Sequence, residues 1–432
     1  MVNYANFDQF GLLYLLMAPL VLQPFFSSLL SPHINDDSVH GYVDEEFHAV
    51  RDAFQRNFGE GLEREGAAFA VYRHGRRVAH LWGGFADGES NRKWKPTTRS
   101  VLFSATKAIA SLVIATLVDR GLIDYEDRVV THWPGYGQYG KNSTTIEDVL
   151  SHKAGVPYLD EDVLMDDVIG GLSLLEKVER TKPLWMPGTA SGYHAVTFGF
   201  IVDGIVRKVD PKGRSLKTYF QEEIAEPHNL DISIGVEKKE APFLARITMP
   251  SMWEYVRDIF KDPKILVMLG LMHFRFDTIV HRIKENPKWL IANYDTMSLN
   301  DPDVVSLPLP AVTGVSSADD LARLFSLAIH GEILSNMTLT TLAEPTLNSW
   351  HLEKVTIWPV MKGHGFFYER HPLIPGAFTF GHPGYGCQFV HVDPKSGISL
   401  AYVSNGLKTG SGELCGPYTR LLRATYNSIR YI

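Results

Sequence analysis

Cysteine is almost missing from this chain: Cys387 and Cys415 are the only two in 432 residues. Two thiols cannot make the multi-bridge framework that holds small secreted domains together. Their spacing is not that of a metal knuckle either, and whether they pair with each other stays open. Excess positive charge is also missing. The 42 Lys and Arg against 49 Asp and Glu leave a formal charge of -7, with no basic stripe for nucleic acid. Internal repeats and low-complexity tracts are absent. No metal and no cofactor is expected. Long apolar runs are scarce, and the one at the N-terminus stands apart from the rest.

That run, Gly11 to Leu30, carries no charged residue. At about 1.5 Å per residue in a helix it is long enough to cross a bilayer. Pro19 and Pro24 weaken it as a straight helix, no Lys or Arg precedes it, and no small-x-small cleavage site follows. Residues 1–34 are expected to act as a signal or membrane anchor, with secretory or membrane-attached location. A core helix is the alternative. Residues 35–432, with 45% of the whole chain hydrophobic, are enough for one large domain carrying an insertion, or for two.

Local patterns place the elements. Phe47, Val50, Phe54 and Phe58 recur at helical spacing. Ala67 to Tyr72 and Val78 to Trp82 flank a turn at His74-Gly75 and predict a hairpin. An apolar helix follows Ser104 and ends near Gly121. Thr145 and Ser317 are placed to cap later helices. Gln388 to Val392 and Ile398 to Val403 read as a strand pair, and a last helix runs from about Gly416 to Tyr426. Strands at both ends with helices between predict a sheet with a mainly helical insertion.

The chemistry-bearing stretch is Ser104-Ala105-Thr106-Lys107. If a helix starts here, Ser104 lies in its first turn and Lys107 one turn on, on the same face. An amine beside a hydroxyl can activate it as a nucleophile, and a helix N-terminus favours a developing oxyanion. The spacing alone is weak, since Ser90-Asn91-Arg92-Lys93 repeats it in a charged loop. Tyr193 follows the Pro187-Gly188 turn. Near Lys107 its hydroxyl could lose its proton more easily and serve as base and acid, although a lone tyrosine at a helix start usually just packs. Gly381-His382-Pro383-Gly384-Tyr385-Gly386 precedes the strand pair. Its glycines suit close approach to an edge strand, Pro383 fits an edge, and His382 would put a polar or positive group at the rim. The N–H of Tyr385 could join that of Ser104 in an oxyanion hole. Lys408-Thr409-Gly410-Ser411 looks like a rival third motif, but a helix follows it where a strand should.

In this order the three motifs resemble the serine β-lactamase and penicillin-binding-protein superfamily. The likeness is greatest to its class C-like branch, with family VIII carboxylesterases and the β-lactamase-domain proteins of animals. It extends over about residues 45–425 and includes Thr145 to Pro157 and Gly314 to Arg323. The resemblance implies an α/β (α+β) sandwich, an antiparallel sheet flanked by helices, with a mainly helical subdomain and the site between them. It implies Ser104 as acylated nucleophile and Lys107 and Tyr193 as the proton-handling pair. His382, Gly384 and Tyr385 become the substrate-binding and oxyanion motif. Two departures stand out: Ala195 replaces the usual asparagine, and His382-Pro383 replace lysine and threonine. Both point away from efficient β-lactam hydrolysis, toward a small ester or short peptide as substrate. A peptidase for D-amino-acid or other short peptides, and a non-catalytic assembly protein, are the competing functions. Residues 241–298 have no counterpart in the resemblance. Their run Ile265 to Met272 is either a buried helix or part of a lid for an apolar substrate.

Overall fold

The computed structural model describes residues 39–429, apart from 274–277, 294, 349–350, 352 and 357–359. The expected anchor, Gly11 to Leu30, lies outside the described residues, and among those described no helix is long and apolar enough to cross a membrane.

The strands are β1 (Val39–Val43), β2 (Gly66–Arg73), β3 (Arg76–Asp87), β4 (Arg92–Lys93), β5 (Ser100–Val101), β6 (Ser233–Ile234), β7 (Gly314–Ser316), β8 (Met361–Gly363), β9 (Phe366–Arg370), β10 (Phe378–Pro383), β11 (Phe389–Asp393) and β12 (Ile398–Ser404). The helices that matter below are α1 (His48–Gly59), α2 (Thr106–Asp119), α3 (Ile146–Leu150), α4 (Thr197–Val209), α5 (Met252–Lys261), α6 (Lys264–His273), α7 (Thr278–Glu285), α8 (Ala318–Ile329) and α9 (Gly416–Ile429).

Among the described residues the main sheet runs β1-β3-β2-β12-β11-β10-β9-β8, every neighbour antiparallel. The first and last parts of the chain meet at its centre, where Phe69 of β2 faces Tyr402 of β12. Strand alternation makes two apolar faces from one strand. Ala67, Phe69 and Val71 pack with α1 and α9, through Phe54, Phe58, Tyr418 and Leu421. Ala68, Ala70 and Tyr72 point the other way, to the larger core with α8 and α2. The hairpin turn closes with His74 and Gly75 at φ +50° and +77°, the left-handed pair that matches strand twist.

α2 is apolar all round and buried from Thr106 to Leu117, as a helix wedged between two layers must be. It packs on the sheet on one side and on α4 of the helical part on the other. It ends in a Schellman turn: Gly121 at φ +68° donates to the Val118 carbonyl, and Leu122 to that of Leu117. Thr145 caps α3 through a reciprocal box with Asp148, and Ser317 caps α8 by accepting from the Asp320 N–H.

Two expectations change. Ser104 is not in an α-helical turn: it sits in a 3₁₀ turn, Phe103–Ala105, and α2 starts at Thr106. And β10 is an interior strand, between β9 and β11. Its pairing with β9 stops at Gly381, however, while pairing with β11 continues through Pro383. So His382 and Pro383 have a free backbone edge on one side only, which is where the proline's missing N–H is tolerated.

Candidate active site

The turn at Ser104 is pinned from below. Thr106 Oγ1 donates to the Phe103 carbonyl at 2.5 Å and accepts from the Gly314 N–H at 2.9 Å. The Leu102 N–H donates to the Gly314 carbonyl at 2.8 Å. Phe103 takes φ +48°, a conformation that costs a bulky residue on the order of 1–3 kcal/mol and is held by this surrounding bonding. The result lifts Ser104 out of the helix, half-buried, over a fully buried Lys107.

Lys107 Nζ is 3.3 Å from Ser104 Oγ. Its other partners are the carbonyls of Ala195 at 2.7 Å and Ala311 at 3.1 Å. Among the described residues no carboxylate pairs with it. Burial without a counter-charge pushes its pKa well below the ordinary lysine value, so the amine is held toward its neutral form.

Tyr193 is not at a helix start, since α4 begins at Thr197. It lies on an extended segment clamped on both sides. The Gly192 N–H donates to the His152 carbonyl at 3.0 Å, and the His194 N–H to His152 Nδ1 at 3.1 Å. On the other side the Tyr193 N–H donates to Glu353, whose carboxylate also accepts from Val355 and Thr356. Lys362 stands 3.6 Å from Glu353 and 3.1 Å from Ser191 Oγ, all three buried. The Tyr193 ring centroid is 4.9 Å from Lys107 Nζ. Its phenol does not follow expectation. Burial raises its pKa above the ordinary 10.0, a hydrogen bond with Ser104 pulls the other way, and Glu353 adds to the rise. Tyr193 therefore keeps its proton.

His382 also departs from expectation. It is fully buried, against Phe367 at 4.6 Å, and its Nδ1 is 2.7 Å from the Pro383 carbonyl. Burial, the largest cause, pushes its pKa down to about 3. It is a neutral wall of the site, not a cation at the rim. His194 is likewise depressed, to about 4, chiefly by burial.

Gly384 is where the third motif meets the serine turn. A Cβ there would stand 2.4 Å from the Leu102 carbonyl oxygen and 3.3 Å from the Ala105 nitrogen. Only glycine allows that approach. Its own N–H is used, donating to the Gln388 carbonyl at 2.7 Å. The N–H groups of Ser104 and Tyr385 donate to no acceptor among the described residues. Tyr385, partly exposed, sets its ring 5.7 Å from that of Phe103, tilted at 58°. The turn is fastened from behind: Ser411 Oγ donates to the Gly384 carbonyl, the Lys408 N–H to that of Gly386, and Cys387 is disulfide-bonded to Cys415. The rival motif is thus a support. Lys408 spends its charge on buried Glu63 at 2.6 Å, and Thr409 bonds Asp258.

So the structure brings Ser104, Lys107, Tyr193, His382, Gly384 and Tyr385 together where sheet and helical part meet. Sequence reading did not assign His152, Glu353 or Lys362. His152 was within reach, as a polar residue at the end of a capped helix and at φ +60°. Glu353 and Lys362 carry no local signal.

Residues 54–424 match the model of the family described as Beta-lactamase. A relative from Mycobacterium tuberculosis, the esterase/beta-lactamase LipL, is 32% identical over 392 residues, 88% of this chain and 86% of that one. A family VIII carboxylesterase of known structure superposes with TM-score 0.78 at 28% identity, over 90% of this chain and 100% of the other. A penicillin-binding-protein homologue from Caulobacter crescentus gives 0.75 at 29% identity, over 90% and 100%. The chain belongs to the β-lactamase family, with the mixed α/β fold of that family and of the penicillin-binding-protein-like hydrolases.

Proposed function

We propose that this chain is a serine esterase working through an acyl-enzyme on Ser104. One observation carries the reading: a buried Lys107 amine, with no carboxylate beside it among the described residues, 3.3 Å from a half-exposed serine hydroxyl. The neutral amine takes the Ser104 proton as Oγ attacks the ester carbonyl. The tetrahedral oxyanion is received by the N–H groups of Ser104 and Tyr385. Tyr193 gives its proton to the departing alkoxide and regains one from Lys107, which returns the base to its starting state. Water then repeats the sequence against the acyl group and frees Ser104.

The ester preference rests on charge. A β-lactam or a peptide C-terminus brings a carboxylate, and His382 is buried and neutral while Lys362 is held by Glu353. The likeness to a carboxylesterase and to an esterase/beta-lactamase supports the same choice. Ser104→Ala should lose hydrolysis of a short-chain aryl ester while keeping the wild-type melting curve. Wild type should turn over that ester faster than a chromogenic cephalosporin. Undiminished ester hydrolysis by the alanine variant would remove Ser104 from the mechanism.

A further inference from the structure

Three imidazoles border Tyr193. The ring of His152 lies 4.7 Å from that of Tyr193, His194 is next in the chain, and the ring of His382 lies 6.3 Å away. Burial holds all three toward the neutral form. A neutral imidazole has one donor and one acceptor nitrogen, and its partners decide which is which. His194 spends both. Its Nε2 accepts from the Val156 N–H at 2.9 Å, so Nδ1 carries the proton and donates to the Gly192 carbonyl at 2.6 Å. His152 uses Nδ1 to accept from the His194 N–H at 3.1 Å. His382 is different. Its Nδ1 stands 2.7 Å from the Pro383 carbonyl, and a carbonyl only accepts, so the proton is on Nδ1. Nε2 is then a bare lone pair. Of the three rings, only His382 leaves a buried nitrogen with no partner among the described residues.

A buried acceptor without a donor costs stability, so an orphan of this kind in a native fold calls for a partner. The side chains around it do not supply one. The Tyr193 phenol bonds Ser104, and Lys107 Nζ bonds Ser104 Oγ and two carbonyls. The Phe367 ring, 4.6 Å from His382 and 6.0 Å from Tyr193, has no donor to give. An ester brings none at its reacting carbon either, since its carbonyl and ether oxygens only accept. Water brings two. The place fits the second half of the proposed reaction. Tyr193 meets the departing alkoxide, and by microscopic reversibility the attacking water enters where the alkoxide left. That is beside Tyr193, where the His382 ring is its neighbour. His382 is firmly placed: β10 pairs it with Val390 of β11, and Gly384, two residues on, is pressed against the serine turn.

We propose that His382 Nε2 accepts a hydrogen bond from the water that releases the acyl group, and so aims the water oxygen at the acyl carbon. The proposal rests on the acyl-enzyme reading of Ser104. The water oxygen bonds to the acyl carbon, and the bond from that carbon to Ser104 Oγ then breaks. One water proton passes through Tyr193 and Lys107 to Ser104 Oγ. The other, held by Nε2 during the attack, stays on the product acid. His382 takes no proton, because burial holds its pKa down at about 3. It orients the water and leaves proton transfer to Lys107 and Tyr193. Such an acceptor acts on release of the acyl group and not on its formation.

The test separates the two half-reactions. Full-length wild type and His382→Phe are mixed with a short-chain aryl ester. The aryl alcohol is followed from the first turnover, and acid-quenched samples are analysed by mass for the acyl adduct. Phenylalanine keeps a ring against Phe367 and removes the acceptor. The variant should release its first equivalent of alcohol at the wild-type rate, with kcat/KM within about twofold, while kcat falls about tenfold or more and the Ser104 adduct outlives that of wild type. A general disturbance of the site would lower kcat/KM as well, because that ratio reports acylation. A parallel fall in kcat and kcat/KM with no accumulating adduct would overturn the proposal, since Nε2 would then serve acylation or the fold. If His382→Phe fails to fold, His382→Leu is read in the same way. An adduct that forms on both proteins and decays equally fast would end the proposal alone. No adduct on wild-type Ser104 would end the esterase reading and the proposal with it.

Discussion

Lys107 is the residue on which the proposed chemistry turns. Its ammonium form would sit in a fully buried site with two carbonyls and, among the described residues, no carboxylate, so folding favours the amine. The sign is fixed by linkage: a lysine whose folded pKa lies below its unfolded value adds stability above the unfolded value, and that stability is lost as pH falls toward the folded one. Activity should follow the same group. kcat/KM should rise with pH through the depressed Lys107 pKa and then stay level through pH 10.0, the ordinary tyrosine value, because Tyr193 is raised above it. A descending limb at that ordinary value would mean that burial does not hold the Tyr193 phenol above it. Lys107→Arg should not rescue. Arginine stays protonated and cannot accept the serine proton, so a loss of about 10²-fold or more is expected in steady-state ester hydrolysis. Near-normal rates would take the base role away from Lys107.

At the scale of elements, the serine motif was legible because an S-x-x-K at the head of a wholly apolar helix is a rare combination. The third motif was legible because a strand pair follows it. What was hidden has physical causes. A first helical turn and a 3₁₀ turn share the same residues and spacing, so the placement of Ser104 outside α2 could not be read. The direction of the Tyr193 and His382 shifts depends on burial, which the sequence does not state. The hairpin β8–β9, which makes β10 an interior strand, is short and carries Lys362 and Glu369 in place of a clean apolar alternation. The Glu353–Lys362 pair, which fixes the backbone of Tyr193, joins residues that nothing in the local pattern connects. The contact between the third motif and the serine turn yields a direct test. Gly384→Ala forces a Cβ to 2.4 Å from the Leu102 carbonyl, so the two turns must separate. Ester hydrolysis should fall steeply, with a loss of about 1–3 kcal/mol in denaturant unfolding. Unchanged kinetics would show that this approach is not needed.

For the whole molecule, the sheet joins the early strands β1–β3 to the late strands β8–β12 and carries the candidate site at its junction with the helical part. The Cys387–Cys415 bridge, spanning 28 residues, ties the turn that follows Gly384 to the start of α9. Loop closure of that length is worth roughly 3–4 kcal/mol of unfolded-state entropy. Replacing both cysteines by alanine should lower the unfolding midpoint by a corresponding amount. It should also lower kcat more than it raises KM, since the turn it frees bears on the transition state. An unchanged midpoint and kcat would show that the bridge does not hold this turn.

The central claim is a covalent one, and mass spectrometry tests it most directly. Full-length protein mixed with an activated aryl ester and quenched in acid within the first turnover should gain the mass of one acyl group. Peptide mapping should place that group on Ser104, and the adduct should be missing from Ser104→Ala. Rapid hydrolysis with no acyl adduct, or an adduct mapped to any other residue, would contradict the account.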